Sequence, residues 1–192
     1  MRLPVGCIER QIRNAAGKKG IPFTNCPYKR DGKDVTDYIE QNGLSEETFS
    51  AHVGLHVING IMRGYHCTRK QFTEIVNNNY LTLDADRCWD QAEKIHEHYT
   101  PREIDFIMET FCSPVLQFSG LLNEKYFLVP NTRDFVEKVD GKPLGIFGAN
   151  HVPRIAKALQ TGKDLEVPQW DEFMADEDER LKLAERILKI SR

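Results

Sequence analysis

Repeated helix start signals are the feature that most constrains how this chain can fold. In Thr100-Pro101-Arg102-Glu103, a threonine N-cap precedes a proline at the first helical position and a glutamate at the third. Ser45, Thr68 and Asp84 are N-cap candidates for three further helices, and apolar residues follow them at helical spacing. The sequence therefore predicts a mainly α fold.

The segment after Ser45 carries a predicted core stripe of Phe49, Val53, Val57 and Ile61. Its three glycines, Gly54, Gly60 and Gly64, would permit close approach either of a neighbouring helix or of a flat ligand.

The helix after Thr100 is expected to end near Ser113-Pro114, because proline interrupts an α-helix. The short apolar runs 126–129 and 144–147 lie between turn residues, and they are expected to form a small β-hairpin or two extended segments. Further helices are predicted from Pro153 toward Leu159 and from about Pro168 to Ile190.

The size of the chain suits one α-helical domain spanning residues 1–192, with at most a small hairpin around 126–147. The formal charge of −3 gives no general attraction to nucleic acid, and no apolar run is long enough to span a membrane. The basic segment 1–20 fits a flexible or targeting-like extension. We therefore expect an intracellular protein, cytoplasmic in the first instance and mitochondrial as the alternative.

Five cysteines occur without any Cys-x-x-Cys pair, a pattern typical of reduced thiols rather than of a disulfide framework. Cys26 is the strongest candidate for chemistry among them. Lys29 and Arg30 follow it closely and would favour a thiolate, which is the form that binds haem iron. The alternative interpretation is a buried loop cysteine.

Cys26-Pro27, followed by Arg30-Asp31-Gly32-Lys33-Asp34-Val35-Thr36, resembles the amino-terminal signature of the fungal haem-thiolate peroxidases, the chloroperoxidase and peroxygenase family. Glu97-His98 stands where that family has a Glu-His-Asp motif, although Tyr99 replaces the aspartate. The family's Asn and His-Gly segment between Cys-Pro and the glycine turn is missing here.

This resemblance implies a haem cofactor with Cys26 as the axial ligand of the iron. It implies that Glu97 lies near a haem propionate, where a divalent cation can be held, and that His98 is a polar residue on the distal side. Independently of the resemblance, His96 and His98 can be read as residues in the last turn of a helix, where they complement the helix dipole, with Glu97 facing solvent.

Two further polar motifs have competing interpretations. His52 and His56 share one helical face and could bind a metal, but a core or interface pair is the favoured interpretation. Residues 148–153 could present backbone amides to an anion at a helix start, although a turn with Asn150 or His151 near the cap is favoured.

The leading functional hypothesis is a haem-thiolate peroxidase-like oxidoreductase that acts on peroxide and a small-molecule substrate. The alternative is a non-catalytic helical subunit or adaptor that binds a protein partner, with its histidines and cysteines serving as packing residues.

Overall fold

The computed structural model describes residues 5–20, 31–61, 67–140, 145 and 151–175, together with Lys182, Arg186 and Lys189. All regular structure within these residues is helical, which confirms the mainly α prediction. The α-helices are α1 Val5–Lys18, α2 Thr36–Ile39, α3 Glu46–Leu55, α4 Arg69–Asn79, α5 Ala85–His98, α6 Pro101–Ile107, α7 Ser113–Asn123, α8 Val129–Lys138, α9 Val152–Thr161 and α10 Trp170–Met174. A 3₁₀ turn, Glu40–Asn42, follows α2, and π-helical turns occupy His56–Ile61, Met108–Cys112 and Glu124–Leu128.

The predicted helix starts are confirmed by their side-chain caps. The hydroxyl of Thr100 accepts the Glu103 N–H at 3.4 Å, and the Glu103 carboxylate accepts the Thr100 N–H at 2.8 Å. Thr68 forms the same capping box at the start of α4, while Ser45 and Asp84 cap α3 and α5 with their side-chain oxygens. Each cap satisfies backbone donors that a helix leaves unpaired at its first turn.

The prediction that the helix after Thr100 ends at Pro114 is wrong, because the chain stays helical from Pro101 to Lys138. A π-helical turn precedes the proline, and the Ser113 N–H bonds to the carbonyl of Met108, five residues back. In an α-helix, the ring of Pro114 would clash with the carbonyl four residues before it. The wider turn relieves that clash, so the helix continues.

The segment 126–129 is helical as well, so it forms neither a strand of a hairpin nor an extended segment. The Val129 N–H bonds to the Glu124 carbonyl immediately before Pro130, which repeats the π-helical arrangement. A short apolar run is compatible with a strand or with a buried helix, and here Phe127 and Val129 are buried helical residues. In the run 144–147 only Gly145 is described, as an exposed residue without regular structure.

Helix α3 lies in the main core and packs extensively on α5. Phe49, Val53 and Val57 of the predicted stripe are buried, and the side chain of its fourth member, Ile61, lies outside the described part of the structure. A Cβ atom added to Gly54 would lie 2.2 Å from the carbonyl oxygen of Cys88 on α5. Gly54 therefore serves the close approach of a neighbouring helix, the first of the two predicted roles.

A second, smaller apolar cluster joins α8 to α9 through Val129, Ile155 and Ala158. The predicted helix near Pro153 is confirmed as α9. Of the predicted stretch 168–190, the structure describes residues 168–175, which include α10, and the helical residues Lys182, Arg186 and Lys189. Trp170 of α10 packs edge-on against Phe118 of α7 with ring centroids 5.2 Å apart.

Among the residues that the structure describes, none of the helices combines the length and the apolar character needed to cross a bilayer.

Candidate functional site

Cys26, the predicted iron ligand, lies outside the described residues. The signature that follows it is described from Asp31 onward. Asp31 and Gly32 adopt left-handed conformations with φ angles of 49° and 74°. The carboxylate of Asp34 is buried, and it accepts the Thr36 N–H at 2.7 Å, the Thr36 hydroxyl and the Leu81 N–H. The turn is thereby fastened to the segment between α4 and α5.

Glu97 and His98 are exposed at the carboxyl end of α5. The Nδ1 atom of His98 lies 2.7 Å from the Lys94 carbonyl oxygen, within its own helix. The anchored turn lies at the opposite end of α5, where Thr36 contacts Thr82. Because α5 has 14 residues, about 20 Å of helix separates the signature turn from Glu97 and His98.

Glu97 and His98 do not line either of the two cavities that the structure shows among the described residues. Two shallow cavities in the described part of the chain have volumes of about 240 and 430 Å³ and are lined mainly by polar and charged side chains. Ligand pockets are usually apolar with a few polar groups, unlike these two. Gly60, one of the three glycines predicted to permit close approach, lies against the His56 ring, because an added Cβ would be 3.0 Å from Nδ1.

Within the described ranges, no three His, Cys, Asp or Glu side chains come together as metal ligands. These residues therefore bring no further metal ligands to the predicted cation site at Glu97. The pair His52 and His56 likewise has no third ligand among them.

Three histidines instead gather around the π-helical turn that follows α3. The rings of His52 and His56 stack with centroids 5.5 Å apart and planes 22° apart. The Nδ2 atom of Asn59 lies 3.1 Å from Nε2 of His96 on α5. We call His52, His56, Asn59 and His96 the histidine cluster. Single π-helical turns inside α-helices are frequent at functional sites.

Loss of contact with water lowers the pKa of all three histidines, although His52 is buried, His56 is half-buried and His96 is exposed. It lowers the pKa of His52 from 6.5 to about 3, with repulsion from His56 as a smaller cause. Partial loss of solvent around the ring also lowers the pKa of His56 and of His96. The Nδ1 atom of His52 is buried and has no hydrogen-bond partner in the described part of the chain. Neutral imidazoles can accept protons or bind transition metals.

A second buried polar site joins the π-helical turn at Glu124 to the start of α9. Glu124 is completely buried, and its carboxylate accepts hydrogen bonds from His151 Nδ1 at 2.5 Å, from Arg154 Nη2 at 2.7 Å and from Arg154 Nε. Burial alone would raise the pKa of Glu124, but the bonds from Arg154 and then His151 lower it below 4.5. The carboxylate is therefore charged although it is buried.

Helix α1 is a third candidate, of a different kind. Val5, Ile8, Ile12 and Ala16 recur at helical spacing, while Arg10, Arg13 and Lys18 fall on other faces. Among Arg10–Lys18, whose side chains are described, Ile12 and Ala16 are half-buried and the others are exposed. The helix is therefore basic and amphipathic, and its described part contributes no residue to either apolar cluster.

Comparison of the chain with protein-family models, with curated proteins and with solved structures finds no match.

Proposed function

We propose that this protein is a non-catalytic helical subunit or adaptor, and that α1 is the element that binds its protein partner. The observation that carries this proposal is the absence of any buried side chain among the described residues Arg10–Lys18 of an amphipathic helix.

An amphipathic helix derives most of its stability from burying its apolar stripe. Helix α1 has 14 residues, a length at which an isolated helix is only marginally stable in water. Docking of an amphipathic helix into an apolar groove is a common mode of protein recognition. The partner surface that suits α1 is such a groove with acidic residues at its rim, because Arg13 and Lys18 lie on either side of the stripe.

The test begins with a photo-crosslinking residue at position 12 or at position 14 of the full chain in cells. Ile12 lies on the apolar stripe, and Asn14 lies on the opposite face. We expect the crosslink to form from position 12. The trapped protein is then purified, and its affinity is measured for wild type, Ile12→Asp and Asn14→Asp. Loss of a buried isoleucine should weaken binding by roughly tenfold or more.

Two results would reject this proposal. One is an equal loss of affinity in the Asn14→Asp control. The other is strong protection of the α1 amides from hydrogen exchange in the isolated monomer, because the helix would then already be packed on its own chain.

The haem-thiolate peroxidase-like oxidoreductase is the second candidate function. The observation that favours it is the anchoring of the signature turn through Asp34, which fixes the chain close after Cys26. Cys26 would then supply the thiolate ligand, and the iron would supply peroxide chemistry.

Pigment analysis of the purified protein tests this candidate directly. Haem bound through Cys26 should give the thiolate-type spectrum of the reduced carbon monoxide complex. Cys26→Ala should abolish that spectrum, whereas Cys67→Ala, a half-buried cysteine outside the signature, should preserve it. A protein that neither contains haem nor takes it up rejects the peroxidase.

A further inference from the structure

We propose that His151 is a phosphoryl acceptor, and that its Nε2 atom takes a phosphoryl group from an activated donor of the phosphoramidate class. The geometry that carries this proposal is a carboxylate–histidine dyad. The buried carboxylate of Glu124 holds the imidazole of His151 through Nδ1, at 2.5 Å. This inference depends neither on α1 nor on Cys26.

The dyad leaves the second ring nitrogen of His151 open to reaction. The side chain is 38% exposed. Among the described residues, Nε2 is neither an unpaired buried atom nor engaged in a hydrogen bond. Because the Glu124 carboxylate can only accept the Nδ1 proton, the neutral ring keeps its lone pair on Nε2. The carboxylate thus fixes which nitrogen acts as the nucleophile.

The Glu124 carboxylate also stabilises the product of the transfer. Attack by Nε2 forms a bond to phosphorus and breaks the P–N bond of the donor, whose amine leaves with the bonding electrons and takes a proton from water. The ring of His151 keeps its Nδ1 proton and becomes a phosphorylated imidazolium. The carboxylate lies against that positive charge. It is ionised although buried, because Nε and Nη2 of Arg154 both donate to it.

The surroundings of His151 favour an anionic group such as phosphoryl. His151 is the N-cap residue of α9, a helix of 10 residues, and its side chain bonds to none of the amides in the first turn. That turn carries no acidic residue, and Arg154 offsets the charge of Glu124. The positive end of a helix dipole and the N–H groups of a first turn both stabilise phosphate.

A metal ion suits this site less well. A histidine whose Nδ1 donates to a carboxylate is also a common metal ligand. In the described part of the chain, however, His151 is not joined by two further side chains that could complete a ligand set.

His98 provides a matched reference within the same chain. Its Nδ1 lies 2.7 Å from the carbonyl oxygen of Lys94, so the same tautomer is held by a neutral acceptor. It lies at the carboxyl end of α5, where the dipole is negative, and it is more exposed than His151. Accessibility alone therefore favours reaction at His98, whereas the dyad favours reaction at His151.

The test is incubation of the full chain with phosphoramidate at about pH 8, where an ordinary imidazole is neutral. Phosphorylation of each histidine is followed by site-resolved mass spectrometry under non-acidic conditions. We expect His151 to react about tenfold faster than His98 or more, since a charged acceptor replaces a neutral one. A rate at His151 equal to or below the rate at His98 would overturn the proposal.

Glu124→Gln tests the carboxylate itself, because it keeps the size of the side chain and removes its charge. It should slow phosphorylation of His151 by about tenfold and leave the rate at His98 unchanged. Circular dichroism checks that the variant is folded. An unchanged rate at His151 in the folded variant would mean that Glu124 only anchors α9, and this result would also overturn the proposal. If Glu124→Gln does not fold, the comparison of His151 with His98 in the wild-type chain decides.

Discussion

His52 and Glu124 are both completely or almost completely buried, yet the protein keeps His52 neutral and Glu124 charged. His52 lies in the main core beside His56, and burial lowers its pKa so far that it stays neutral. Glu124 lies beside the smaller α8–α9 cluster, and Arg154 together with His151 keeps it charged. Burying a charge is costly unless a partner of opposite charge compensates it, so the presence of such a partner decides whether a buried group is charged or neutral.

The two regions consequently depend on different forces. The α3–α5 region relies on close packing, since Gly54 brings the two helices into direct backbone contact. The α8–α9 region has few apolar residues and is joined by the Glu124 ion pair. Substitutions that add volume between α3 and α5 should therefore destabilise the first region, and substitutions that remove charge should destabilise the second.

The largest effect is expected for Arg154→Met. This change leaves the Glu124 carboxylate buried without its main partner, and it should lower the free energy of unfolding by roughly 3 kcal/mol at neutral pH. Urea unfolding measures it, with Lys157→Met on the exposed face of α9 as the control. The double variant Glu124→Gln with Arg154→Met should recover part of the loss. If Arg154→Met left the free energy of unfolding unchanged, the ion pair would not hold α9 in place.

Gly54→Ala should have an effect of about the same size. The added methyl group would meet the Cys88 carbonyl at 2.2 Å. A backbone atom cannot move aside cheaply, so we expect a loss of about 3 kcal/mol. The matched control is Gly120→Ala in α7, where an added Cβ meets nothing within 4 Å. That control should stabilise the protein by up to about 1 kcal/mol, because alanine favours the helix.

The smallest effect is a pH dependence that distinguishes the two buried groups. The unfolded chain protonates His52 below pH 6.5, whereas the folded chain does so only near pH 3. Stability should therefore fall as the pH drops from 6.5, by about 2 kcal/mol at pH 5. The folded pKa of Glu124 is lowered below 4.5, so its contribution is present above that pH and is lost at lower pH.

His52→Leu sharpens this prediction. It should flatten the stability curve between pH 6.5 and 4.5, leaving a residual slope from His56 and His96, whose pKa values burial also lowers. Glu124→Gln should leave the slope in that window intact. An unchanged slope in His52→Leu would show that His52 is not buried in its neutral form.

The parts of the fold that the sequence predicts correctly are those set by local interactions. Thr68 and Thr100 cap their helices through residues three positions away, so the pattern can be read directly. The continuation of the helix through Pro114 was not predictable in this way, because it depends on a π-helical turn with no distinct composition. The helical state of Tyr126–Val129 was missed for the same reason.

The buried polar sites show the same limit. His52 lies in the core, as its place on the stripe-bearing helix predicts. The ion pair between Glu124 and Arg154 joins residues 30 positions apart, and no local sequence pattern indicates it. The same holds for Asn59 and His96, which are 37 positions apart. The roles of Cys26, Glu97 and His98 rest on resemblance, and they stay predictions.

The π-helical turns before Pro114 and Pro130 also bear on how this chain tolerates changes of length. Each turn holds one residue more than an α-helical turn of the same rise, so deleting one residue there would restore ordinary helical phase downstream. Such a deletion would need a second change, replacement of the proline, because its ring would otherwise meet the carbonyl four residues back. A sequence with one residue fewer at each π-helical turn and with both prolines replaced can thus form nearly the same helical backbone.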